Sequence, residues 1–143
     1  MLELSDMSKT KSRIIMDTNL WISFLLSKDF LKLDKLFNSE RLVLLFSREL
    51  LDEFVEVARR SKFKKYFSLT DLNELLRAIH SKAEFIEVTS KVTICRDEKD
   101  DFLLALAKDG NADFLITGDN DLLEIAKFEN TTILTMTNFL ENK

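Results

Sequence analysis

The chain has 143 residues, 45% hydrophobic and 32% charged, with a formal net charge of −4 at pH 7. That length fits one domain of roughly 100–150 residues. The acidic balance excludes a globally basic nucleic-acid binder, and no apolar run approaches the ~20 residues of a membrane-spanning helix.

The leader, residues 1–12, is polar and of mixed charge and lacks the apolar stretch of a secretory signal. It is expected to be a flexible segment ahead of one domain over 13–143. Residues 13–17 read as a short buried strand ending in Asp17-Thr18-Asn19. Thr18 or Asn19 is expected to cap the helix that follows, 20–27. A second helix over 30–37 carries Leu31, Leu33, Leu36 and Phe37. Residues 42–46 are the next buried strand, and Ser47 opens a helix running to about 60. Its apolar arc is Leu50, Leu51, Phe54, Val57 and Ala58. A basic and aromatic link, 61–67, leads to an amphipathic helix over 70–84, capped by Thr70. Residues 85–88 read as a strand. Asp97 caps a helix over 98–109, which Gly110 ends. A strand at 114–117, a short helix at 121–126, a strand at 132–134 and a helical turn at 137–140 complete the chain.

This alternation predicts a three-layer α/β/α sandwich with a central, mainly parallel sheet. Near-continuous apolar strands support it, because parallel strands are buried on both faces. In such sheets ligands bind beyond the carboxyl ends of the strands. Asp17 and Asp119 lie at that end, and a right-handed crossover brings Asp100 there too. Glu53 borders the apolar arc of its helix, where a carboxylate is costly unless paired or bound to metal. Asp17, Asp100 and Asp119 each have an ordinary reading as a cap, Glu53 has one as a carboxylate paired with a core-facing hydroxyl or lysine, and Asp101 falls on a neighbouring face. Together, however, converging carboxylates repel unless a cation sits among them. A single histidine, His80, and a single cysteine, Cys95, leave oxygen ligands. Hard ligands of that kind point to Mg²⁺ or Mn²⁺.

The motifs resemble those of PIN-domain nucleases, most closely the group of toxin components of toxin–antitoxin systems. The resemblance rests on Asp17-Thr18-Asn19, on Glu53 within residues 47–53, on residues 96–107 around Asp100, and on Thr117-Gly118-Asp119-Asn120-Asp121. It implies a metal-dependent ribonuclease with Asp17, Glu53, Asp100 and Asp119 as its acids. On the same resemblance Asp17, Asp100 and Asp119 are the expected metal ligands with Asp121 as an accessory one, and Asn19 and Thr117 match positions that line the pocket. It further implies a homodimer and an antitoxin partner that blocks the acidic pocket. Glu98 departs from the family, where proline is frequent.

The run Arg59, Arg60, Lys62, Lys64 and Lys65, interleaved with Phe63, Tyr66 and Phe67, suits phosphate contact with base stacking. A solvated helix end over packed aromatics is the competing reading. Arg59, Arg60, Lys64 and Lys65 are the candidate RNA contacts. One cysteine excludes an internal disulfide and fits a reduced, cytoplasmic setting. A haloacid-dehalogenase-type phosphohydrolase needs an Asp where Asn19 stands. A receiver domain needs paired acids after the first strand and does not place Glu53 on a helix. An RNA-processing nuclease without a toxin role, or a non-catalytic metal- or RNA-binding module, stays open at this point.

Overall fold

The computed structural model describes residues 11–28 and 30–141. The leader lies outside these up to residue 10, and Ser12 already belongs to the first strand. In chain order the elements are β1 (Ser12–Met16), α1 (Thr18–Ser27), α2 (Phe30–Phe37), β2 (Leu42–Phe46) and α3 (Arg48–Ala58). A 3₁₀ turn (Ser61–Phe63), α4 (Leu69–Lys82), β3 (Glu84–Phe85) and α5 (Glu98–Asp109) follow. Last come β4 (Phe114–Ile116), α6 (Asn120–Ile125), β5 (Lys127–Phe128), β6 (Thr131–Leu134) and α7 (Met136–Glu141).

The strands form one six-stranded sheet in the order β3-β2-β1-β4-β6-β5. Every pairing is parallel except the edge pair β5–β6. The expected mainly parallel α/β architecture is therefore the observed one. Ile14, Ile15 and Met16 of β1 and Leu44, Leu45 and Phe46 of β2 are buried on both faces, which is why these strands are apolar without alternation. Trp21 of α1 lies in the core against Phe46 at 5.3 Å and Phe37 at 5.9 Å between ring centroids. Its indole N–H donates to the Met16 carbonyl at 3.1 Å. Trp21 and Phe24 are thus core residues and contribute no open surface.

Several boundaries differ from the sequence reading. Asp17, not Thr18 or Asn19, caps α1. Ser68, not Thr70, caps α4, since Ser68 and Asp71 satisfy each other's backbone N–H groups in a capping box. The strand expected at 85–88 is only Glu84–Phe85. The Ile86 N–H still reaches the Phe46 carbonyl of β2 at 2.9 Å, but further on backbone N–H groups go to side chains. Thr89 and Ser90 donate to Asp109, and Ile94 and Cys95 to Asp101. Gly110 is required by space, because a Cβ there meets Leu45 Cδ1 at 2.9 Å and the Leu106 carbonyl oxygen at 3.0 Å.

Candidate active site

β1 is central, and the chain order reverses between β1 and β4. Strand ends splay at such a switch point and open a crevice. Asp17 sits at its lip, its N–H continuing the ladder to the Ile116 carbonyl at 3.1 Å. A cavity of about 710 Å³ opens here, lined by Asp17, Glu53, Asp100 and Asp119 among others. Its size falls within the ~300–1,000 Å³ usual for ligand sites. The four acids expected to converge do so, although they come from the end of β1, where Asp17 caps α1, from α3, from α5 and from the turn after β4.

Thr117, expected to line the pocket, is buried behind it, and Asp121 stands beside the cavity rather than on its wall; the acidic site as a whole has two unlike halves. In one, the acids are supplied with donors. Asp17 is buried, and one of its oxygens accepts from the Leu20 N–H at 3.0 Å. The other accepts from the buried Thr117 hydroxyl. That hydroxyl oxygen in turn accepts from the Asp119 N–H at 3.0 Å, so Thr117 ties Asp17 to the Asp119 turn. Burial, and then the nearby Asp119, raises the Asp17 pKa against the lowering effect of these donors. Glu53 accepts from the Thr18 hydroxyl at 2.8 Å, and its second oxygen lies 3.5 Å from Lys99 Nζ.

In the other half the acids face each other. Asp100, Asp119 and Asp121 bring one carboxylate oxygen each within 4.8 Å of one another. Asp100 is buried at the start of α5. Its pKa is pushed up to about 7, first by burial, then by a shared hydrogen bond and repulsion with Asp119, and further by Asp97 and Asp121. Asp119 caps α6 through the Asp121 N–H at 3.0 Å. Asp121 accepts from the exposed Arg96 at 2.9 Å. An all-oxygen triad with too few donors is the environment a hard divalent cation fits.

Asp17 and Glu53 stand outside this triad, whereas Asp121 stands within it. Asn19 is exposed and lines the cavity, and Gly118 lines it too. Asp101, next to Asp100, points elsewhere and latches the loop before α5 by accepting from Ile94 and Cys95 at 3.1 and 2.8 Å. The Cys95 thiol is half-buried, and its pKa is pushed up to about 12 by burial and by Asp101. Of the candidate RNA contacts, Arg60 lines the acidic cavity. Arg59 and Lys64 line a separate one, and Lys65 stands over the Tyr66 ring at 5.4 Å. The ordinary reading of Glu53, a carboxylate paired with a hydroxyl or a lysine, is met by Thr18 and Lys99, although sequence did not single out these two residues. Thr18 adjoins Asp17 and Lys99 adjoins Asp100 in the chain, and that adjacency was the available signal.

The fold and the cavity define a class: a parallel-sheet α/β protein with a carboxylate-floored cleft at its switch point. Residues 13–121 match the PIN domain family, and the chain belongs to that family, whose members are generally nucleases. The uncharacterized protein MJ1680 of Methanocaldococcus jannaschii is 29% identical over 125 residues, covering 85% of this chain and 80% of that protein. VapBC2 from Rickettsia felis, solved bound to a DNA fragment from its promoter, has a similar fold, with a TM-score of 0.56 and 16% identity over 85% of this chain and 96% of that chain. PAE2754 from Pyrobaculum aerophilum is similar at a TM-score of 0.58 and 16% identity, covering 93% of this chain and 92% of that one. Among the described residues, no helix is long and apolar enough to cross a membrane.

Proposed function

We propose that this PIN-domain protein is a divalent-metal-dependent ribonuclease that hydrolyses RNA phosphodiester bonds in the acidic cavity. The observation that carries the reading is the crowded triad Asp100, Asp119 and Asp121, with the Asp100 carboxyl pushed up to about 7. Perturbed carboxylates in a cleft mark functional sites. These acids would hold Mg²⁺ or Mn²⁺, with Asp17 supporting them through Thr117. When bound, such an ion supplies charge neutralisation at a phosphate and acidifies water. Glu53, held by Thr18 and Lys99, orients the attacking water and accepts its proton. Thr117 keeps Asp17 and the Asp119 turn in register, and Asn19 lines the approach.

The motif order and the fold likeness to VapBC2 further support a toxin of a toxin–antitoxin pair. We infer a cytoplasmic homodimer restrained by a cognate antitoxin. A housekeeping RNA-processing nuclease shares the same site chemistry, and expression without a partner separates the two: a toxin arrests growth, and an Asp100→Asn variant does not. The decisive test of the enzyme reading is incubation with a mixed RNA pool with and without Mn²⁺. Mn²⁺-dependent fragments are expected from the wild type and none from Asp100→Asn. RNA left intact by wild-type protein in both Mn²⁺ and Mg²⁺ overturns it.

A further inference from the structure

Each carboxylate oxygen of Asp17 and of Glu53 has its own donor. The Leu20 N–H and the Thr117 hydroxyl serve Asp17. The Thr18 hydroxyl serves one oxygen of Glu53, and the Lys99 ammonium stands 3.5 Å from the other. Of these donors only Lys99 carries a charge. It sits in the first turn of α5, between Glu98 and Asp100. The positive end of a helix dipole disfavours a cation there, so the helix itself gives no reason for a lysine at this position. Its ammonium turns instead to Glu53 of α3, and both residues line the acidic cavity with Asp17 and Asp100. With only 21% of the Glu53 side chain exposed, solvent screens this contact less than it does an open surface pair.

Acidic sites that act on phosphates often hold a pair of divalent ions ~3.5–4 Å apart. Among the described residues, Asp100, Asp119 and Asp121 are the one group of three or more acids whose oxygens converge closely enough for an ion. A second ion beside that triad would have to draw on Asp17 and Glu53. It would have to displace their donors and would meet the ammonium of Lys99 as a like charge. We propose that the site takes a single divalent ion, in the triad, and that Lys99 stands in for a second by holding Glu53. Lys99 is then a positioning residue that sets how many ions the cleft accepts. The inference rests on the metal-dependent nuclease reading and deepens it.

Titration of the metal-free full chain with Mn²⁺ tests it, followed by calorimetry for the number of ions and by electron paramagnetic resonance for their separation. Wild type is expected to take up one Mn²⁺ per chain and to show the spectrum of an isolated ion. Lys99→Met keeps the aliphatic stem and loses the charge. It should take up a second Mn²⁺, and the spectrum should broaden into that of a spin-coupled pair. Lys99→Arg keeps a cation beside Glu53 and should return the count to one. Glu53→Gln added to Lys99→Met should remove the second ion, because its ligand is gone. Lys99 is half exposed, so its variants are expected to fold, and melting curves check each one. A wild type that binds a coupled pair overturns the proposal, as does Lys99→Met still holding a single ion. A second ion that survives Glu53→Gln overturns it too. RNA cleavage is scored in parallel. Mn²⁺-dependent cleavage by a wild type with two ions sinks this inference alone. A count that rises from one to two in Lys99→Met, with RNA left intact in both Mn²⁺ and Mg²⁺, sinks the nuclease reading alone. Wild type that takes up no Mn²⁺ overturns both.

Discussion

The two halves of the acidic site carry the same functional group in opposite states. Asp17 and Glu53 receive hydroxyl donors from Thr117 and Thr18. Asp100, Asp119 and Asp121 mainly face each other. The first half is complete as folded. In the second, burial and Asp119 push the Asp100 carboxyl up to about 7, a repulsion that a cation would relieve. A buried carboxylate is stable where the fold supplies donors and becomes a ligand where the fold withholds them. The difference lies in the neighbours, since the acids are chemically alike.

The largest effect is expected from Asp100→Asn, which removes the centre of the crowded half. Cleavage of RNA should fall by about 10³-fold or more, since an ion at a phosphate supplies several kcal/mol. The metal-free fold should melt no lower than wild type, because the substitution removes repulsion rather than a donor. A rate close to wild type, measured on the same RNA pool, breaks the distinction between the halves.

Next in size is the response to metal and pH. The Asp100 carboxyl lies at about 7 in the folded chain, against 3.8 for the free group, so the folded state binds the extra proton between these values. Its contribution to stability is complete below the free value and is lost as pH rises through about 7. The raised Asp17 pKa acts with the same sign. Metal-free protein should therefore lose stability over that window. Mn²⁺ should restore it most strongly above about pH 7, where no proton competes for the site. At a hundredfold excess over its dissociation constant the ion contributes about 2.7 kcal/mol. Calorimetric melting at about pH 5.5 and about pH 8.5, with and without Mn²⁺, reads both trends. A shift as large at the lower pH removes the argument from Asp100.

Sequence made the crowded half legible better than the supplied half. Asp100 and Asp119 stand where apolar elements begin or end, and parallel topology alone brings such positions together. The donors to Asp17 and Glu53 have no such mark. Thr18 reads as a cap, but Asp17 takes that role and leaves the Thr18 hydroxyl for Glu53. The segment after β3 illustrates the same limit. Val88, Val92 and Ile94 have strand propensity, yet Asp101 and Asp109 take backbone N–H groups that a strand partner would need. β5 is two residues long and enters its hairpin through Ala126 and Glu129 at positive φ. No glycine or proline announces that turn.

Thr117→Val moves the supplied half toward the state of the other. The side chain keeps its shape but loses the hydroxyl that serves Asp17 and the Asp119 N–H. A buried acceptor left without its donor costs ~1–3 kcal/mol, readable by urea denaturation. The Asp17 pKa should rise further above its free value. The added penalty is then largest at high pH and shrinks as acid protonates Asp17. A penalty equal at about pH 5 and about pH 8.5 means that Thr117 serves packing rather than the carboxylate.

The smallest effect concerns a charged donor that reaches the crowded half from outside. Arg96 is almost wholly exposed and bonds Asp121 at 2.9 Å. Solvent screens such a pair, so Arg96→Ala should leave the melting temperature nearly unchanged. Its consequence lies in competition: Arg96 and a divalent ion draw on the same carboxylate. Removing the guanidinium frees Asp121 and should tighten Mn²⁺ binding slightly, as measured by isothermal titration calorimetry. Weaker binding on loss of Arg96 means instead that it orients Asp121 for the metal, and the crowded half is then less bare of donors than its three carboxylates suggest.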